Sequence, residues 1–484
     1  MFAWAATFAV ALVALNARAT YGAQVTSDEP QYLLTALSLA EDADLDISDE
    51  LSERRFLSFH EVALNTQTID LDANGQRLSP HDPLLPLLLA PAMGLGGWMA
   101  AKATLAALAG LAAAATAWVA VHRFQISPMV ATGAAVVAFA NPPLTAYATQ
   151  VYPEMPAALA VVVALGAVLG LDRQGTQAPG DARTGRLQLV AATAVVTLPW
   201  LSVKYVPVAA VLALGLVWRV LSDDRKRAAR LVTALAVAGA AYLLVHRQVY
   251  GGWTVYAAGD HFVDGEFQVI GSNPNYLARS QRLIGLLVDR RFGLIPWAPI
   301  FAMLPAGVGF MISRGIGPRR LPLAVLATGW AVATWVALTM HGWWWPGRQL
   351  VAVLPLAVIA IASLVDGRPK LIGAATAAGL VGAVNWGWLA IEASTGRRTL
   401  IVDFFETEAV PYRLLAPLFP DHIRFAASDV ALTAIWTAVV AALAILGWRV
   451  GRRSHRHKLI DLTRPPSVDQ EARAMAVGST GGAN

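Results

Sequence analysis

The stretch SDEPQYLLT, residues 27–35, sets two adjacent acids, Asp28 and Glu29, before a proline and an apolar run. Ser27 or Asp28 ahead of a proline at the first helical position is a helix start signal, and capping uses one of these polar groups. It does not use both acids. The remaining carboxylate can serve as a general base, taking a proton from a hydroxyl as that hydroxyl attacks. A third acid, Glu154 in VYPEMPAALA (151–160), opens another apolar run. There the helix dipole alone would favour it, and it could equally orient an acceptor or hold a metal. Lys204 interrupts the apolar stretch LSVKYVPV (201–208). An ionisable group in such a place marks function by default, because facing lipid costs about 3 kcal/mol, although a snorkelling lysine has the same signature.

The elements that must position these groups are apolar. The 484 residues are 56% hydrophobic and 14% charged, with 16 Trp, no Cys and a net charge of +5; mean hydropathy is +0.52. This composition is that of a polytopic membrane protein. It excludes disulfides, thiolate metal sites and a Cys nucleophile. No basic stripe with interleaved aromatics is present, so nucleic acid is not an expected partner. Runs long enough to cross a bilayer fall near 2–18, 99–121, 128–148, 154–171, 187–202, 204–221, 231–249, 292–312, 321–340, 349–365, 371–391 and 429–448, about twelve spans in all. The first of these lacks the positive region of a cleaved signal and is read as a retained span. PHDPLLPLLLAPAMGLGG (80–97) is also apolar, but its prolines and glycines suit a helix lying at the interface.

Charge orients the spans. With a cytoplasmic amino terminus, the inward connections begin at residues 122, 172, 222, 313, 366 and 451, and each carries Lys or Arg, as the positive-inside rule requires. The opposite side receives residues 19–82, with thirteen Asp or Glu against three Arg, and the connections near 250–291, 341–348 and 392–428. Both termini are then cytoplasmic. Residues 1–450 form one membrane-embedded domain, with 19–98 as a large first outer loop carrying juxtamembrane helices. Residues 451–484 form a tail, basic and then disordered.

SDEPQYLLTALSLAEDADLDISDEL resembles the first outer loop of the GT-C glycosyltransferases, and further segments follow in the same order: HDPLLPLLLAPAMGLGG, VYPEMPAALA, LSVKYVPV, RRFGLIPWAPIF (290–301) and HGWWWPGRQLVAVLPL (341–356). The likeness spans roughly residues 1–365 and is to such members as the aminoarabinose transferases and protein O-mannosyltransferases. It implies an all-α GT-C-like enzyme that moves a sugar from a polyprenyl-phosphate donor to a lipid, glycan or protein acceptor on the outer side of the cytoplasmic membrane. Inverting displacement needs a base on the attacked face and cations for the departing phosphate. The resemblance places Asp28 as the base, with Glu29 second, and Glu154 beside them. Lys204 and Arg348 then receive the phosphate, an Arg among aromatic rings being suited to bidentate anion binding. Arg290 and Arg291 are further phosphate candidates, and His81, Asp82, Tyr152, Trp344 and Trp345 are expected to line the cavity.

Asp28, Glu154 and His81 could hold a divalent ion such as Mg2+ or Mn2+, yet no metal spacing of the HExxH kind exists and the basic residues favour a metal-free site. The connections 250–291 and 392–428 suit a lid and an acceptor groove. The competing reading is a multi-span transporter or lipid flippase, and the blandest a membrane scaffold. A transporter site belongs near the bilayer midplane, whereas a lipid-sugar transferase should gather Asp28, Glu154, Lys204 and Arg348 in one cavity at the outer boundary.

Overall fold

The structure is a computed structural model that describes residues 1–70, 75–171, 182–257, 275–314, 320–337 and 340–463, with side chains through Arg453. Each apolar run of the sequence is helical over at least half of its length, because in lipid a chain must satisfy its backbone polar groups internally. Six helices are long and apolar enough to cross a membrane: Leu84–Phe124, Val203–Leu221, Arg225–Tyr250, Arg348–Val365, Pro369–Ser394 and Ala427–Arg453. Phe2–Leu12, Pro128–Phe139, Glu154–Leu169, Pro299–Ser313 and Arg320–Val336 are shorter apolar helices, and Ala182–Leu201 completes the series. The chain is an integral membrane protein of all-α class. Its one described sheet is a two-residue antiparallel pair, Ile69–Asp70 with Arg77–Leu78.

The segment expected to form an interfacial helix, 80–97, is helical from Leu84 and runs into the next span. Between them the backbone turns at Gly96 (φ −152°) and Gly97 (φ +63°, ψ −159°), a conformation open to glycine and closed to most side chains. Elsewhere small residues set the packing: Gly309 and Gly447 lie against the backbones of each other's helices, at the Ala444 and Ala306 carbonyls, where a Cβ would overlap. The last helix continues unbroken to Thr463, through the basic start of the tail. The expected disorder beyond it and the middle of the candidate lid, 258–274, lie outside the described residues.

Four helix breaks matter for function. The helix at 29 begins after Ser27, which is left-handed (φ +58°), with Pro30 in its first turn. The run expected at 128–148 stops at Phe139, because Pro142 and Pro143 cannot continue a helix; a buried irregular segment carries the chain to Glu154. Ser202 is extended (φ −170°), and a 3-10 turn, Val203–Tyr205, follows. Gly347 (φ +80°) precedes the 3-10 turn that starts at Arg348. Irregular backbone at such depth is tolerated where it is buried in protein or lines a cavity.

Candidate active site

Each of these breaks presents one charged side chain, and the four meet. Arg348 donates from Nε to Glu154 Oε1 (2.8 Å) and from Nη2 to Asp28 Oδ2 (2.9 Å). Lys204 Nζ donates to the same Glu154 Oε1 at 2.6 Å. Side-chain exposure rises from 1% at Glu154 and 9% at Arg348 to 20% at Lys204 and 22% at Asp28. Glu154 is therefore the buried anchor, and the site opens on the Asp28 and Lys204 side.

Aromatic rings wall the cluster. The Arg348 guanidinium lies 3.9 Å from the Tyr152 ring centroid and 5.4 Å from that of Trp344, near enough for cation–π attraction. Tyr32 packs on His81 with centroids 4.4 Å apart. The His81 Nε2 stands 4.0 Å from Asp28 Oδ2, and its Nδ1 lies 2.8 Å from Ser79 Oγ. Burial pushes the Asp28 carboxyl up, but Arg348, His81 and Lys204 outweigh it and hold the group below its ordinary value. Asp28 is thus ionised at neutral pH.

Several valences at the site stay open. Glu154 Oε2 and the hydroxyls of Tyr152 and Tyr205 are buried and find no partner among the described residues. Buried polar atoms are ordinarily paired, so such a grouping marks a place where a polar ligand completes the set. One oxygen of each carboxylate faces a fixed cation, Asp28 Oδ2 meeting Arg348 and Glu154 Oε1 meeting Lys204 and Arg348. Asp28, Glu154 and His81 do not form a set of mutually close metal-ligand atoms; among the described residues only Asp42, Asp49 and Glu50 do.

Of the twelve residues singled out from sequence, the structure brings together Asp28, Glu154, Lys204, Arg348, His81, Tyr152 and Trp344. Five are placed elsewhere or otherwise engaged. Glu29 turns away from its neighbour: its oxygens accept the N–H groups of Thr26 (3.0 Å) and Val151 (2.7 Å), and it is 1% exposed. It staples the outer loop to the irregular segment before Glu154. Asp82 is consumed by Tyr242 (2.9 Å), His246 (3.0 Å) and the N–H of Val203 (3.0 Å), which fixes the Lys204 turn. Trp345 is fully buried against Trp297, Trp386 and Phe404, in the core and not in the cavity. Arg290 donates to the Ala416 and Phe419 carbonyls and Arg291 pairs with Asp421 at 3.4 Å, so neither contacts the four-residue cluster. Sequence reasoning missed Tyr32, Tyr147 and Tyr205. Tyr147 donates to the Trp345 carbonyl (2.8 Å) and holds the loop that carries Arg348.

No protein-family pattern matches the chain, and no curated protein is similar to it. Among solved structures the chain is similar to ArnT from Cupriavidus metallidurans bound to undecaprenyl phosphate, with a TM-score of 0.53 and 15% identity over 96% of this chain and 81% of that one. It is likewise similar to ArnT from the same organism in the apo state, with a TM-score of 0.52 and 16% identity over 94% and 76%. At these identities the likeness is one of fold. The polytopic helical fold is thus similar to that of ArnT.

Proposed function

We propose that the protein is a glycosyltransferase that takes a sugar from a polyprenyl-phosphate donor and passes it to a hydroxyl acceptor outside the cytoplasmic membrane. The observation that carries this reading is the Arg348 guanidinium, which bridges Asp28 and Glu154 while Lys204 shares the Glu154 oxygen. The ArnT neighbour, bound to undecaprenyl phosphate, supports a donor of this class.

The charge balance of the reaction suits the cluster. An acceptor O–H gives its proton to Asp28, its oxygen bonds the anomeric carbon, and the bond from that carbon to the phosphate oxygen breaks with its electron pair leaving on the phosphate. Negative charge therefore disappears at Asp28 and grows on the departing phosphate. Arg348 touches Asp28 at the start, so its field follows the charge to the leaving group, with Lys204 as the second cation. Glu154 holds both cations in place and prevents them from pairing fully with Asp28. The open Tyr152 and Tyr205 hydroxyls are suited to the polar sugar.

The same contacts support a site on the outer side. The connections that carry Asp28, Glu154, Lys204 and Arg348 are all assigned by charge to the translocated side, and side chains in contact must share a side. Convergence at helix ends also favours the transferase over a transporter, whose site belongs at the midplane. Mass spectrometry of lipid copurifying with the protein should find a polyprenyl phosphate or its sugar conjugate. Absence of that lipid, together with no binding of added undecaprenyl phosphate, would overturn the reading.

A further inference from the structure

The first outer loop holds a second group of acids at the far end of the helix that begins beside Asp28. In AEDADLDISDE, residues 40–50, six of eleven side chains are acidic. Two of them build the loop: the Asp44 carboxylate lies 2.9 Å from Ser38 Oγ and accepts the Asp46 N–H, and Asp46 Oδ1 accepts the N–H groups of Ser48 and Arg77 at 3.0 Å each. Glu41 is paired with Arg55 at 2.8 Å, and Arg55 also reaches Glu53 at 3.5 Å. The other three, Asp42, Asp49 and Glu50, have no basic partner in any described ion pair. Their carboxylate oxygens lie within 4.8 Å of one another.

Glu50 is the observation that separates this group from an ordinary solvated acidic loop. The residue is 2% exposed, and its Oε2 is buried with no hydrogen-bond partner among the described residues. An acid buried without a cation is expensive to keep ionised, and here it points toward two further carboxylates.

We infer that Asp42, Asp49 and Glu50 form a binding site for a hard divalent cation, of the Ca2+ class. Oxygens that share one cation at bonds of about 2.4 Å lie no more than about 4.8 Å apart, a condition the three carboxylates meet. The three ligands come from a helix C-cap and an adjacent short turn, Ser48–Ser52. Irregular geometry of this kind suits calcium better than magnesium. A bound ion would brace the loop against the end of the Glu29–Glu41 helix without entering the Asp28 cluster.

The test uses the full chain in detergent, stripped with a chelator and then titrated with CaCl2. Equilibrium dialysis with radioactive calcium counts bound ions, and thermal unfolding followed by tryptophan fluorescence reads the linked stability. The expected result is one Ca2+ removed by substitution at this loop, a Tm that rises with Ca2+, and a response to Mg2+ at least about tenfold weaker. Glu50→Gln and, separately, the exposed Asp42→Asn should each weaken Ca2+ binding by about tenfold or more. Glu50→Gln should also leave the calcium-free Tm unchanged or higher, because it removes an unpaired buried acid. No saturable Ca2+ binding by the wild type, or unchanged binding by both variants, would overturn the proposal.

Discussion

Two charged clusters lie where helices of this protein break, and they are built on opposite plans. Around Asp28 and Glu154 the carboxylates are met mainly by charged side chains, and one Glu154 oxygen is left open. Around Asp289 the carboxylate is saturated by the backbone. Its Oδ1 accepts the N–H groups of Arg291 (2.9 Å) and Phe292 (2.6 Å), and its Oδ2 accepts the N–H of His422 (3.0 Å). The His422 imidazole adds a contact at 3.0 Å and His341 one at 3.7 Å. Arg290 donates from Nε to two backbone carbonyls and pairs with Asp429 at 3.7 Å, and Asp421 and Asp429 accept backbone N–H groups in turn. Both clusters are charged and largely buried, and each contains arginine. What distinguishes a site poised for chemistry is that its valences remain available, whereas the other cluster has used its own to tie one chain segment to another.

Substitutions should divide along that line. Asp28→Asn keeps the shape and one acceptor oxygen for Arg348 but removes the base, so sugar transfer should fall by about 10²–10⁴-fold with Tm near that of the wild type. Transfer is read as release of undecaprenyl phosphate from its sugar conjugate. Wild-type turnover by Asp28→Asn would break the distinction at its strongest point. Next in size is Arg348→Lys. A lysine retains the charge but cannot donate to Glu154 and Asp28 at once in a fixed fork, so transfer should fall by about 10²-fold or more. An equal loss in Arg290→Lys would show that the second cluster also serves the reaction.

How much of this was legible in the sequence follows from the same physics. Asp28, Glu154, Lys204 and Arg348 stand out because a charge beside an apolar run is costly and needs a reason. Glu29 has the same type and the same neighbourhood as Asp28. One step along a helix, however, rotates a side chain by about 100°, and only the fold shows that the step carries it to the amides of Thr26 and Val151. Arg290 and Arg291 look like phosphate ligands in isolation, since their partners at 416–429 lie more than a hundred residues away. Asp82 is hidden in the same way by Tyr242 and His246. The spans were legible from hydropathy, but the ends that make the site depend on Pro142, Ser202 and Gly347. Of these, only the break at Pro142 falls inside a run that hydropathy reads as continuous, 128–148.

Stability should respond at the second cluster where transfer does not. Asp289→Asn leaves one or more buried N–H groups or imidazoles poorly matched, at a cost of about 1–3 kcal/mol. Thermal unfolding should register the loss, while turnover per folded molecule stays at the wild-type level. A variant as stable as the wild type would mean that the saturated carboxylate contributes nothing, and the contrast between the clusters would lose its structural half.

The smallest effect is the pH dependence of that stability difference. Burial pushes the Asp289 carboxyl up, but His341, His422 and the Phe292 amide outweigh it, so the folded protein holds the group well below its ordinary value. A carboxylate depressed on folding contributes stability that is fully present above its unfolded value of about 4 and is lost as pH falls toward the folded value. The difference between wild type and Asp289→Asn should therefore be constant from about pH 7 to pH 5 and shrink below about pH 4. Unfolding scans of the two proteins across this range check the sign. A gap that widens on acidification would mean that the carboxyl is stabilised in its protonated form, which its three backbone donors and two imidazoles argue against.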